Sequence, residues 1–224
     1  MRKTSFVGSL LWAFLILNGC AVISPPPTIM PPPPAAVVQQ MWQSRQAALS
    51  CADTFTVIGR LAVAFREDGS TARVSWQQQA ADFNIRLSGP IGIGGVELQG
   101  QSDSLRITRG RETKVYLEPP ETAVARELGY PLPIAGLRYW VLGLPRSAQD
   151  YQSLDLDAWG RPLRLEQDGW RIEYQEYASA DALALPRRIA LSRPDLQIKW
   201  LAEDWRLLHT NQCPHTPPQV SHDP

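Results

Sequence analysis

Histidines, cysteines and glycine-rich stretches are the usual places to look for chemistry, and here each sits oddly for catalysis. The three histidines, His209, His215 and His222, all fall in a polar, proline-containing C-terminal stretch, beside no nucleophile or ligand cluster. No HExxH, CxxC or GxSxG occurs. The stretch LSGPIGIGGVELQG (Leu87–Gly100) has the glycines of a phosphate loop. However, Glu97 stands where a dinucleotide fingerprint needs its last glycine, and no Gly-Lys-Ser/Thr follows. The residues after it alternate like a strand, so no helix N-terminus is offered to an anion. Carboxylates lie in turns and on the polar faces of strands, where solvated charge is their ordinary role. The pattern argues against an enzyme and calls for no metal and no cofactor.

The cysteines carry a different chemistry. Arg2 and Lys3 precede an apolar run, Phe6–Leu17, that is short for a membrane span, and Leu17-Asn18-Gly19-Cys20 follows. This resembles the bacterial lipobox, with Asn18 in place of the usual small or apolar residue. The alternative is an ordinary secretory signal with an incidental cysteine. In the lipobox case residues 1–19 are removed and Cys20 becomes a diacylglyceryl, N-acylated terminus. At about 0.8 kcal/mol per buried CH₂, three chains anchor durably where one anchors marginally. Ala21, rather than the Asp that retains enterobacterial lipoproteins in the inner membrane, favours the outer membrane, facing the periplasm. Cys51 and Cys213 remain as an even pair in an oxidising compartment. They either close one long loop or stay as two free thiols.

Twenty-two basic residues balance twenty-two acidic ones, so no footprint for nucleic acid is present. The 224 residues suffice for one domain with appendages. Residues 20–34 form the lipidated cysteine and a proline-rich tether, which at about 3.1 Å per residue reaches roughly 40 Å. Residues 35–208 form the domain, and 209–224 a frayed tail. Ala35–Leu49 spaces Val38, Met41, Trp42, Arg45 and Leu49 as an amphipathic helix. From Thr54 the period becomes two, with strands expected at 55–65, 71–79, 82–87, 96–99, 105–108 and 114–117. Asp68-Gly69 is expected to make the first hairpin turn. Two helices follow, Pro119–Gly129 and Ile134–Pro145, the second with Leu137, Trp140, Val141 and Leu144 on one face. Strands resume at 151–156, 163–166, 170–177, 186–192 and 196–201. Short strands at this spacing read as one antiparallel sheet that curls.

In this order the chain carries the lipobox, the proline-rich stalk, GRLAV, SWQQ, GPIGIGGVEL, LRYWVLGLP and WRIEYQEY. Together these resemble the LolB family of outer-membrane lipoprotein receptors, over about Trp42 to Leu207. LRYWVLGLP (Leu137–Pro145) is the most specific piece. The resemblance implies an α+β fold: a half-open antiparallel β-barrel of about eleven strands, with an N-terminal helix and a helical lid. It also implies an apolar cavity for acyl chains, lipoprotein cargo received from the periplasmic carrier LolA, and delivery into the inner leaflet of the outer membrane by a monomer. Cavity candidates are the alternating apolar residues Val74, Trp76, Phe83, Ile85, Leu87, Val96 and Leu98 on the sheet. Leu137, Trp140, Val141 and Leu144 are the candidates on the lid. Core and cavity lining look alike in sequence, so each is equally readable as core. In the family, a bulky apolar residue after the proline of the glycine loop helps insert cargo into the membrane. Pro90, Ile91, Gly92 and Ile93 occupy that loop here, although Ile91 is also readable as tucked beneath it. The alternative function is a lipid-binding sensor or scaffold lipoprotein of the same half-barrel fold.

Overall fold

The computed structural model describes residues 32–89, 95–147 and 150–208. Cys20, Pro90, Ile91, Gly92, Ile93 and Cys213 lie outside the described residues. The expectations placed on them, including any pairing of half-buried Cys51, stay expectations.

Helix α1 (Ala35–Leu49) buries Trp42, Arg45 and Leu49 and half-buries Val38 and Met41, which together make the stripe its spacing predicts. Six strands follow in a meander: β1 (Thr54–Phe65), β2 (Asp68–Gln79), β3 (Asp82–Ser88), β4 (Val96–Gly100), β5 (Leu105–Arg109) and β6 (Glu112–Tyr116). Helices α2 (Pro120–Leu128) and α3 (Ile134–Trp140) come next. A second meander completes the chain: β7 (Ser153–Leu156), β8 (Pro162–Gln167), β9 (Trp170–Tyr177), β10 (Pro186–Arg193) and β11 (Leu196–Leu207).

All eleven strands belong to one antiparallel sheet, ordered β6-β5-β4-β3-β2-β1-β11-β10-β9-β8-β7. The first and last strands pair at its centre, Phe55 opposite Leu207 and Phe65 opposite Leu196. The edges β6 and β7 are joined only through the segment carrying α2 and α3. The sheet therefore curls without closing, and the helices fill the gap on its inner side. Among the described residues, the buried hydrophobic core runs from Trp42 to Ala202, with half-buried Trp205 and Leu207 packed against it.

Two details depart from the sequence expectations. The first hairpin turns at Arg66-Glu67, with Arg66 at φ 56°, while Asp68 and Gly69 are already in β2, opposite Phe65 and Ala64. Strand β11 runs on to Leu207 through a bulge. Ile58 pairs with Asp204 but Gly59 with Ala202, leaving Glu203 as the extra residue. The inward positions change from even (Leu196, Ile198, Trp200, Ala202) to odd (Trp205, Leu207), which hides the strand from a period-two search. Gly59 is required there, since a Cβ would sit 2.3 Å from the Leu201 carbonyl oxygen.

Candidate functional site

The register places the seven sheet candidates in three neighbouring rows of one face. Val57, Trp76, Ile85, Leu98 and Ile107 lie side by side across β1 to β5. Val74, Leu87 and Val96 form the row on one side, and Gln78 with Phe83 the row on the other. Val74, Trp76, Phe83, Ile85 and Leu98 are buried, and Leu87 and Val96 are half-buried. Period-two alternation brings them together because every second side chain of a strand faces the same way.

Sequence reasoning missed part of this face. Phe55 stands edge-on to Trp76 and to Trp205, with ring centroids 5.4 and 5.5 Å apart. Leu105 and Ile107 extend it on β5, and Ile172, Tyr174, Ile189 and Trp200 on the second meander. The same alternation marks all of them except Trp205, which the bulge displaces. The face also carries polar atoms: the Tyr174 hydroxyl and the indole N–H groups of Trp200 and Trp205, without partners among the described residues, and Gln78, which accepts from Trp76 Nε1 at 3.0 Å and donates to the carbonyls of Ala80 and Asp82. Its amide is satisfied locally, and the face remains apolar in character.

The helical cover packs directly on this face. Trp140, Val141 and Leu144 are buried in the same cluster as the sheet candidates, and Leu137 is half-buried against it. Tyr130 meets Phe65 at 5.9 Å and Trp140 meets Trp170 at 6.3 Å. Helix α3 stops at Trp140, and Val141 to Gly143 form a turn. The expected face of Leu137, Trp140, Val141 and Leu144 is thus shared between a helix end, a turn and the residue that follows it. Gly136 allows this packing: a Cβ there would lie 2.6 to 2.9 Å from the Trp140 ring.

Polar contacts hold the cover at four points. Gln167, buried at the end of β8, accepts from Trp140 Nε1 at 2.9 Å and from the Arg146 backbone N–H at 2.8 Å. Its amide nitrogen donates to the Asp150 carbonyl. Arg45 of α1, fully buried, donates to the carbonyl of Leu142 at 3.0 Å and that of Ala182 at 2.6 Å. Burial disfavours its charge and lowers its pKa; the nearby Tyr177 and Tyr174 act in the opposite direction. Arg146 bridges Asp168 at 3.3 Å. On the edge strand, Glu127 of α2 accepts from the Tyr116 hydroxyl and from Lys114 at 3.2 Å. These donors hold the Glu127 carboxyl below its ordinary pKa, the Tyr116 hydroxyl contributing most.

Recesses flank the cover, two of them beside α3. One of about 310 Å³ runs past Pro133, Gly136 and Trp140 to Trp170, and one of about 220 Å³ lies between Phe83, Ile134 and Tyr139. Both fall near or below the low end of ligand pockets, roughly 300–1,000 Å³. As it stands, the concave face is occupied by the cover. Among the described residues, no cluster of His, Cys, Asp and Glu could hold a metal ion.

The family model described as outer membrane lipoprotein LolB matches residues 53–205. The Outer-membrane lipoprotein LolB of Nitrosococcus oceani is 35% identical over 198 residues, 88% of this chain and 96% of that protein. That of Stutzerimonas stutzeri is 35% identical over 193 residues, 86% and 91% respectively. A crystal structure of a LolA superfamily protein from Nitrosomonas europaea aligns with a TM-score of 0.46 at 10% identity, covering 77% of this chain and 94% of that one.

Proposed function

The chain belongs to the LolB family, and from that premise we propose that it is a membrane-anchored acceptor of lipoproteins. It takes them from the periplasmic carrier LolA, holds their acyl chains against the concave face, and inserts them into the inner leaflet of the outer membrane. The observation that carries this reading is the contrast between a continuous apolar face and a cover tied down by a few polar contacts.

Lifting the cover exposes apolar surface at a cost of about 25 cal/mol per Å². Acyl chains entering the space restore that burial. Opening and binding therefore nearly offset one another, and the bound cargo stays dissociable, as a transfer step needs. No energy source is required if affinity rises from carrier to receptor to bilayer. No bond is made or broken, so the protein works as a receptor rather than an enzyme. Val74, Trp76, Phe83, Ile85, Leu87, Val96 and Leu98 form the sheet side of the acyl site, and Leu137, Trp140, Val141 and Leu144 its movable side.

In this reading residues 1–19 direct export, and lipidated Cys20 with the tether to residue 34 holds the domain at the outer membrane. Residues 35–208 bind cargo, and 209–224 form a tail outside the fold. Pro90, Ile91, Gly92 and Ile93 make the loop that contacts the bilayer. The test is to mix labelled lipoprotein bound to LolA with this protein in the absence of nucleotide. Passage of the label to this chain is expected. If none passes, a lipid-binding sensor or scaffold on the same half-barrel is the surviving reading.

A further inference from the structure

The outer face of the sheet carries a charge arrangement that folding does not require. Arg60 on β1 lies directly opposite Arg73 on β2, and Arg188 on β10 lies across Leu201 from Arg60. Lys199 on β11 sits one row away, opposite Ala62. Like charges placed directly across a ladder are destabilising. Glu203 bridges Arg60 at 2.7 Å, and Glu176 approaches Arg188 at 3.4 Å. Arg73 and Lys199 make no ion pair among the described residues, and both are exposed. The four cations surround a recess of about 750 Å³ that also receives Thr71 and Gln175. Among the described residues, no Asp or Glu lines it.

The recess reaches Ser88 and Gly89, where β3 leaves the sheet. Seven residues separate Ser88 from Val96, and none of them is charged. Chain geometry keeps each of them within about 14 Å of a strand end. The polar layer of a bilayer is roughly 5–8 Å deep on each side. If the loop touches hydrocarbon, its root and the cations beside it stand at the level of the lipid phosphates. Arginine forks match phosphate oxygens bidentately, and Lys199, Thr71 and Gln175 add donors.

We propose that Arg60, Arg73, Arg188 and Lys199 form a docking surface for the phosphates of an anionic membrane, orienting the domain so that the loop after β3 meets the bilayer. This rests on the membrane-facing reading of residues 90–93. The patch lets that contact be reached repeatedly, because attraction of exposed charges is reversible and falls within a Debye length.

The test uses the chain from Ala21, which lacks the lipid but keeps every described residue. Its sedimentation with vesicles of phosphatidylglycerol and phosphatidylethanolamine is compared with that on pure phosphatidylcholine. Binding to the anionic vesicles is expected to weaken with salt. The R73E/K199E variant is expected to bind them at least about 25-fold more weakly, at roughly fivefold per charge near such a surface. Reversing two charges elsewhere, R106E/R111E, should cost much less. R73Q/K199Q, with weaker but parallel losses, serves should the reversal disturb folding. Unchanged binding by both patch variants overturns the proposal, and so does an equal loss in R106E/R111E, which would mean net charge alone is sensed. The loop reading fails separately: I91E would then deliver cargo normally, whatever the patch variants do.

Discussion

Arg45 and Leu142 are joined by a hydrogen bond of 3.0 Å from a buried guanidinium to a backbone carbonyl, tying the N-terminal helix to the cover of the concave face. The same guanidinium donates to Ala182, so one side chain fastens α1, the cover and the β9–β10 connection. Its planar fork reaches two carbonyls that a single ammonium cannot satisfy in the same geometry. Arg45→Lys is expected to cost about 2–3 kcal/mol, since a buried charge whose Nε already lacks a partner then loses one of its two carbonyl bonds as well. Arg45→Met, which removes the charge, should cost less, about 1 kcal/mol. Urea midpoints of the two variants check this. Equal losses would mean that only packing volume matters at this position.

Gln167 holds Trp140 and the Arg146 amide together at one oxygen. Gln167→Leu strands both donors and is expected to cost about 1–3 kcal/mol each at most. The cover should then lift more readily. The variant is predicted to melt earlier and to take up a fluorescent acyl probe faster than wild type. A lower melting temperature with unchanged uptake would make Gln167 a stability element with no bearing on access.

Gly136→Ala puts a methyl group 2.6 to 2.9 Å from the Trp140 ring. The ring cannot move freely while its Nε1 is bonded to Gln167. Overpacking of this kind costs about 1–3 kcal/mol. The expected signature is a red shift in tryptophan emission together with the stability loss. Unperturbed emission would show that the ring escapes the clash.

These anchors were invisible in the sequence for a physical reason. Period-two alternation reports which way a side chain faces, and it placed Val74, Trp76, Ile85 and Leu98 on one surface. It says nothing of a glutamine or an arginine whose partner is a carbonyl many residues away. Gln167 reads as the polar end of a strand, and Arg45 as one more position on a helical stripe. The bulge at Glu203 shows a second limit. One added residue reverses the parity of β11, so Trp205 and Leu207 look outward to any rule that counts in twos. Asp68-Gly69 has the composition of a hairpin turn, but the register of β1 with β2 sets the turn two residues earlier. Whether an apolar residue lines a cavity or fills a core depends on the position of the cover, which no local pattern encodes.

The edge contact of Glu127 with Tyr116 and Lys114 predicts a pH dependence. The folded carboxyl is depressed, so its contribution is complete above the unfolded value of about 4.3. It is lost as pH falls through the lower folded value. The protection of α2 amides, corrected for the intrinsic exchange rate at each pH, should be flat from neutral pH down to mild acid and fall below the ordinary carboxylate range. In E127Q the acid step should vanish. A step retained in that variant would assign it to another group.

On the proposal that residues 90–93 contact the bilayer, Ile91→Glu is expected to leave folding and acceptance of cargo from LolA intact while blocking insertion into vesicles, as a charge is expensive to bury in hydrocarbon. Melting temperature, transfer from the carrier and delivery to vesicles should be measured on one preparation. Normal delivery would remove Ile91 from the insertion step.

The pairing of β1 with β11 also bears on biogenesis. The central seam of the sheet joins the beginning of the domain to its end, from Phe55 with Leu207 to Phe65 with Leu196. Such distant partners make loop closure slow, and the two meanders cannot be sealed together until the last strand has emerged. A chain still threading through an export channel therefore lacks its keystone and stays extended enough to pass. Loss of residues beyond Arg193 would expose β1 and β10 as two raw edges in mid-sheet, the arrangement most prone to pairing with a neighbour.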